Sequence, residues 1–162
     1  MKKRISILFL VGVGLLLGYW LYPKTTEEKA FNDFLTTSHK ESYIVLPLCS
    51  AGEKVVPLVI EKIKNKDLER RRYALTFLGT SDYYQALPVL EKTVEDESEV
   101  EIFRGDALES IYLIDESKGL RLAKNYKQTN DFLGTISKEI LKKKNYAEFK
   151  KKTQNDICHP TD

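Results

Sequence analysis

The chain has 162 residues, 42% hydrophobic and 31% charged, an ordinary globular composition with room for one domain. The formal net charge of +2 includes Lys2, Lys3 and Arg4 at the extreme N-terminus. The remainder is near neutral, which argues against a nucleic-acid partner held by general electrostatic attraction.

Residues 5–22, ISILFLVGVGLLLGYWLY, contain no charge and no proline. Eighteen helical residues span roughly 27 Å, close to the thickness of a bilayer's hydrocarbon core. The segment predicts a transmembrane signal-anchor, with residues 1–4 cytoplasmic and the rest of the chain periplasmic or extracellular. Tyr19, Trp20 and Tyr22 close the run as interfacial aromatics do, and Pro23 stops the helix. The rival is a cleaved secretory signal peptide, which needs a shorter apolar core and small residues at the cut. Here the residues after Gly18 are bulky, and no cysteine follows for lipoprotein processing. Gly14 and Gly18 have the G-x-x-x-G spacing that permits a weak helix–helix homodimer.

Residues 23–41 predict a first soluble helix. Thr25 and Glu28 have the spacing of a capping box, and Ala30, Phe31, Phe34 and Leu35 form an apolar stripe. Residues 42–152 predict a helical repeat with a period of about 31–33 residues. Val56-Pro57-Leu58 aligns with Leu87-Pro88-Val89, Ala74-Leu75 with Ala107-Leu108, and Leu78 with Ile111. A weaker copy runs from Lys118 to Leu141, and Ser42 to Cys49 resembles the second helix of an incomplete one. Neither stripe of a unit buries its apolar face alone, so the units must stack. Strand and hairpin signals are absent. Residues 153–162 are polar and predict a loose tail.

The proline-containing first helix, the turn Asp and the Arg and Ala-Leu of the second helix resemble HEAT repeats. The pattern is most similar to the short bacterial HEAT-like repeats also found in phycobilisome lyase subunits. The matching residues are Pro57, Asp67, Arg71 or Arg72, Ala74, Leu75 and Leu78, then Pro88, Asp96, Arg104, Ala107, Leu108 and Ile111. The resemblance implies an all-α fold, a short α-solenoid of stacked antiparallel helix pairs following the membrane helix. It also implies that Asp67, Asp96, Arg104 and one of Arg71 and Arg72 form a structural ladder between units. The third copy has Asn130-Asp131 in the turn without a following Arg, as an atypical capping repeat would. The family is mostly non-catalytic and binds proteins; its lyase branch implies a lyase- or chaperone-like helper as the alternative.

No catalytic or cofactor motif stands out. Cys49 and Cys158 have no metal-binding spacing. Cys49 lies in an apolar stretch that suits a free thiol, and outside the cytoplasm a disulfide to Cys158 is conceivable, although nothing in the spacing demands one. His39 and His159 would complete a zinc donor set with the two cysteines, but the four are scattered and the tail is loose. Acids dominate from Asp82 to Glu116 and bases from Lys118 to Lys152, as two solvated faces or as a basic end meeting an acidic partner. Arg70, Tyr83 and Tyr84 are the candidate partner surface, because Arg and Tyr are enriched at binding hot spots. The sequence therefore predicts a membrane-anchored, non-catalytic protein-interaction module without cofactor or metal.

Overall fold

In the computed structural model, which describes residues 25–38, 40–80 and 82–159, every regular element is helical. The first helix, α1 (Thr26–Thr36), begins as its sequence predicts. The Thr25 hydroxyl accepts from the Glu28 N–H at 3.2 Å, and the Thr25 N–H donates to the Glu28 carboxylate at 3.0 Å. Two of the donors that a helix start leaves orphaned are thereby satisfied. Phe31 and Phe34 turn inward with ring centroids 5.7 Å apart.

Three helices start on the same apolar-proline pattern: α2 (Leu46–Ala51), α3 (Val56–Lys62) and α5 (Leu87–Glu95). Pro47, Pro57 and Pro88 fall in first turns, where a missing N–H costs little. Residues 42–49 thus cover the end of a 3-10 turn (Glu41–Tyr43) and the first turn of α2. Gly52, at φ 63° and ψ −143°, separates α2 from the 3-10 turn that leads into α3. That conformation is nearly closed to residues with a Cβ.

The remaining helices are α4 (Arg71–Gly79), α6 (Glu101–Ile114), α7 (Glu116–Tyr126), α8 (Phe132–Lys142) and α9 (Tyr146–Cys158). Asp115, Asp131 and Asn145 cap α7, α8 and α9 through side-chain oxygens. Helix α4 packs along α6, and α6 along α8; α5 packs on α6, and α7 on both α6 and α8. Enclosed by four neighbours, α6 is buried nearly all round and lacks the one-sided pattern of a surface helix. The core centres on it, with Leu75, Leu78, Leu90, Leu108, Ile111, Leu133 and Ile140 fully buried. At the α4–α6 crossing, a Cβ on Gly79 would lie 2.6 Å from the Ser110 Cα. The Ser110 hydroxyl uses this proximity to donate to the Leu75 carbonyl at 3.0 Å.

Of residues 153–162, expected as a loose tail, 153–158 are helical and 160–162 lie outside the described residues. Helix α9 runs through Cys158, and a disulfide ties its last residue to Cys49 in α2. Its first turns are also fixed. The Tyr146 hydroxyl donates to the Leu113 carbonyl at 2.7 Å, and the Tyr146 and Phe149 rings pack on Tyr112.

The expectation of a single-pass, membrane-anchored protein is corrected. Among the described residues no helix is long and apolar enough to cross a membrane. The longest, α6, has 14 residues, about 21 Å of rise against a hydrocarbon core of about 30 Å. It also carries Arg104, Asp106 and Glu109 near its middle. Residues 5–22, on which the anchor rested, lie outside the described residues, as do Gly14, Gly18 and residues 1–4. Membrane attachment and a periplasmic or extracellular location of the domain thus have no helix in the structure to carry them.

Candidate functional site

The resemblance singles out arginines and turn acids, and the structure separates their roles. Arg71 is buried; its Nε donates to the Ile63 carbonyl at 2.8 Å and its Nη1 to the Glu99 carboxylate at 2.7 Å. Its guanidinium lies 5.3 Å from the Phe103 ring centroid. Arg104 matches the carbonyl and ring contacts, its Nε donating to the Val94 carbonyl at 2.9 Å and its guanidinium lying 5.7 Å from the Tyr126 ring centroid. Burial pushes the Asp131 carboxyl up, but hydrogen bonds from Thr129 and the Gly134 N–H, with the Arg104 charge, leave it below the ordinary value.

Glu99 is the acid bonded to Arg71, and Asp131 lies in the field of the Arg104 charge, whereas Asp67 and Asp96 are engaged elsewhere. Asp67 is exposed, and among the described residues it is its backbone N–H that is engaged, by the Asn65 side chain. Asp96 pairs with Lys66 at 2.6 Å and accepts from the Ser98 N–H and hydroxyl. The Lys66 hydrogen bond, then those from Ser98, hold its carboxyl well below the usual range.

Arg70 and the pair Tyr83 and Tyr84 lie at opposite ends of α4: Arg70 precedes the helix and the tyrosines follow it. The Arg70 guanidinium donates to the Phe34 and Thr37 carbonyls at 2.6 and 2.7 Å, closing the C-terminus of α1. Its backbone adopts φ 61°, ψ 20°, the left-handed region that a non-glycine residue seldom enters. Tyr83 is half-buried against Phe77 at 5.9 Å. Only Tyr84, 60% exposed, is presented to solvent.

The acidic and basic halves of the sequence partly neutralise one another. Lys118 pairs with Glu91, and Lys150 pairs with Asp82. Lys143 lies 3.6 Å from the Phe149 ring centroid.

A different cluster has the character of a recognition site. Between residues 105 and 114 of α6, Glu109 alone is not buried. One turn before it, Asp106 is buried and accepts from the Arg72 Nε at 2.8 Å. Burial pushes both carboxyls above their ordinary values. At Asp106 the Arg72 hydrogen bond and charge oppose that rise. At Glu109 Lys143 opposes it, while Asp106 and Glu139 reinforce it. Among the described residues Glu109 is in no ion pair within 4.0 Å, so it is the under-compensated member of the group.

Comparison with known proteins finds no matching family model, no matching curated protein and no matching solved structure.

The α6 group stands on its own chemistry. Asp106 and Glu109 are two desolvated carboxyls on one helix side, Asp106 bonded to Arg72 and Glu109 within the influence of the Lys143 charge. Sequence reasoning passed over Asp106, Glu109 and Glu99. The signal was present for the first two, because an i, i+3 acid pair inside an otherwise apolar helix is unusual. Of the imagined zinc donors, Cys49 and Cys158 are consumed by the disulfide, and His39 lies outside the described residues.

Proposed function

We propose that the described domain is a non-catalytic protein-binding module. We read it as a short α-solenoid of HEAT-like helix pairs whose contact surface is the exposed side of the α4–α6–α8 row. The side-by-side packing of α4, α6 and α8 supports the stacked reading, with α5 and α7 as their pair partners. The recurrent use of Arg71 and Arg104 supports it further, since a repeat that cannot bury its own face is held by such inter-unit contacts.

The observation that carries the functional reading is Glu109: a half-buried carboxylate, raised by desolvation and unpaired, beside a second buried carboxylate. Leaving such a group uncompensated costs stability. A lysine or arginine of a protein partner entering between Arg72 and Lys143 would supply the missing charge and bind with a partly desolvated hydrogen bond.

The test is a nuclear magnetic resonance titration with a lysine-containing peptide. The expected result is a set of shift changes centred on Asp106 and Glu109, weakened by salt and lost in Glu109→Gln. Changes scattered over the surface, or unaltered in Glu109→Gln, would refute the assignment.

A further inference from the structure

The disulfide between Cys49 and Cys158 closes a loop across a sequence separation of 109 residues and joins the last helix to one of the first. The two ends of α9 are held differently. Its beginning is fixed by Tyr146 and Phe149 on Tyr112, by the Tyr146 hydroxyl on Leu113 and by Lys150 on Asp82. Its end has Ile157 packed against the core and the covalent bond. No residue of α9 is fully buried. Both cysteines are only half-buried, and they line an open surface pocket of about 310 Å³ with Ser50, Phe77, Tyr83 and His159. The pocket thus leads to the two residues that carry the bond, and access is the condition for exchange in the folded state.

We propose that Cys49–Cys158 is a redox clasp whose reduction by a dithiol releases the C-terminal half of α9. A thiolate of the reductant attacks one sulfur, forming a mixed disulfide and freeing the other cysteine as its thiolate. The second thiol of the reductant displaces the remaining cysteine. The reductant leaves as its own disulfide, and the protein has gained two electrons and two protons as two thiols. Once the bond is open, the end of α9 is held by Ile157, by a weak Cys158–Thr80 contact and by its packing on α2 and the 3-10 turn Glu41–Tyr43, all non-covalent. It separates from α2 and uncovers the apolar ground around Phe77 and Tyr83, while Tyr146 and Phe149 keep the start of the helix in place. The released surface is a second, redox-gated face, separate from the Asp106–Glu109 side of α6 and independent of its assignment.

The experiment is hydrogen exchange with mass spectrometry on the full chain, oxidised and after dithiothreitol without denaturant. A second arm uses the Cys49→Ser/Cys158→Ser variant without reductant. The expected result is loss of protection in α9, greatest toward Cys158, with Arg71–Gly79 and Glu101–Ile114 keeping theirs. Reoxidation should restore protection, and the serine variant should match the reduced protein and ignore dithiothreitol. If the serine variant does not fold, the reduction–reoxidation arm decides alone. Three results would overturn the clasp: a bond reduced only in denaturant, α9 protection unchanged by reduction, or protection lost throughout the chain together.

Discussion

Arg71 of α4 and Arg104 of α6 make two matching contacts. Each sends its Nε to a carbonyl at the end of an earlier helix, Ile63 for one and Val94 for the other. Each then lays its guanidinium against an aromatic ring of a later helix. Each side chain thus joins three helices by a carbonyl cap and a cation–π contact, and Arg71 adds a charge-assisted hydrogen bond to Glu99.

The Arg71–Glu99 pair is buried on both sides, with side chains 4% and 3% exposed. Removing either partner alone strands a charge, so Arg71→Ala or Glu99→Ala should destabilise the protein by about 3–5 kcal/mol. An Arg71→Met/Glu99→Leu double variant should lose less than either single change. Urea denaturation of the three variants measures this, and equal additive losses would show that the pair is not coupled.

Gly79→Ala offers a test of the α4–α6 crossing. Alanine gains about 1 kcal/mol of helix propensity over glycine. The added Cβ meets backbone, the Ser110 Cα at 2.6 Å, so the helices must move apart. The net expectation is a loss of about 1–3 kcal/mol, which Ser110→Gly relieves only in part: it removes the Cβ and Oγ, each 2.7 Å from the added atom, but leaves the Cα. A thermal melt of each variant decides this.

The pH dependence should run in opposite directions at two sites. Glu109 has a folded value raised above its ordinary 4.5, so the unfolded chain ionises first as pH rises. Its charge opposes folding increasingly above that value, and the opposition is complete above the folded value. Glu109→Gln should therefore stabilise the protein at neutral pH, with the gain vanishing in acid. Asp96 is lowered from 3.8, so its contribution is present above that value and disappears as pH falls toward the folded one. Asp96→Asn should cost stability at neutral pH and nothing in strong acid. Denaturant midpoints across pH report both slopes.

Tyr146→Phe should weaken the attachment of α9 by about 1 kcal/mol, the net value of a hydrogen bond lost from the Leu113 carbonyl. Phe149→Ala should loosen the same turn by removing a ring from Tyr112. Exchange rates in α9 of the oxidised protein measure both effects.

These features differ in how far they could be read from the amino-acid order. The Thr25–Glu28 box and the first-turn prolines were legible because their physics is local: a cap or a missing N–H acts within one turn. The arginines of the ladder were legible through their recurrence. Their acids were not, because Asp96 is nearer in pattern but is engaged by Lys66, whereas Glu99 reaches Arg71 only once α6 has packed on α4. Arg70 looked like surface because nothing in sequence announces that α1 ends beside it. The end of α9, residues 153–158, was illegible for the same kind of reason. Its residues are polar, and the order of the helix depends on Tyr112, Leu113 and Cys49, all distant in the chain.

The central functional claim is that Glu109 receives a basic side chain of a protein partner. Its most direct test places a photo-activated crosslinking residue at position 109, with a control at Tyr84, in cells that make the protein. The account predicts one discrete crosslinked partner from position 109, joined within a few residues of a lysine or arginine, and none from position 84. The same pattern of products from both positions, or a joined segment without a basic residue, would contradict it.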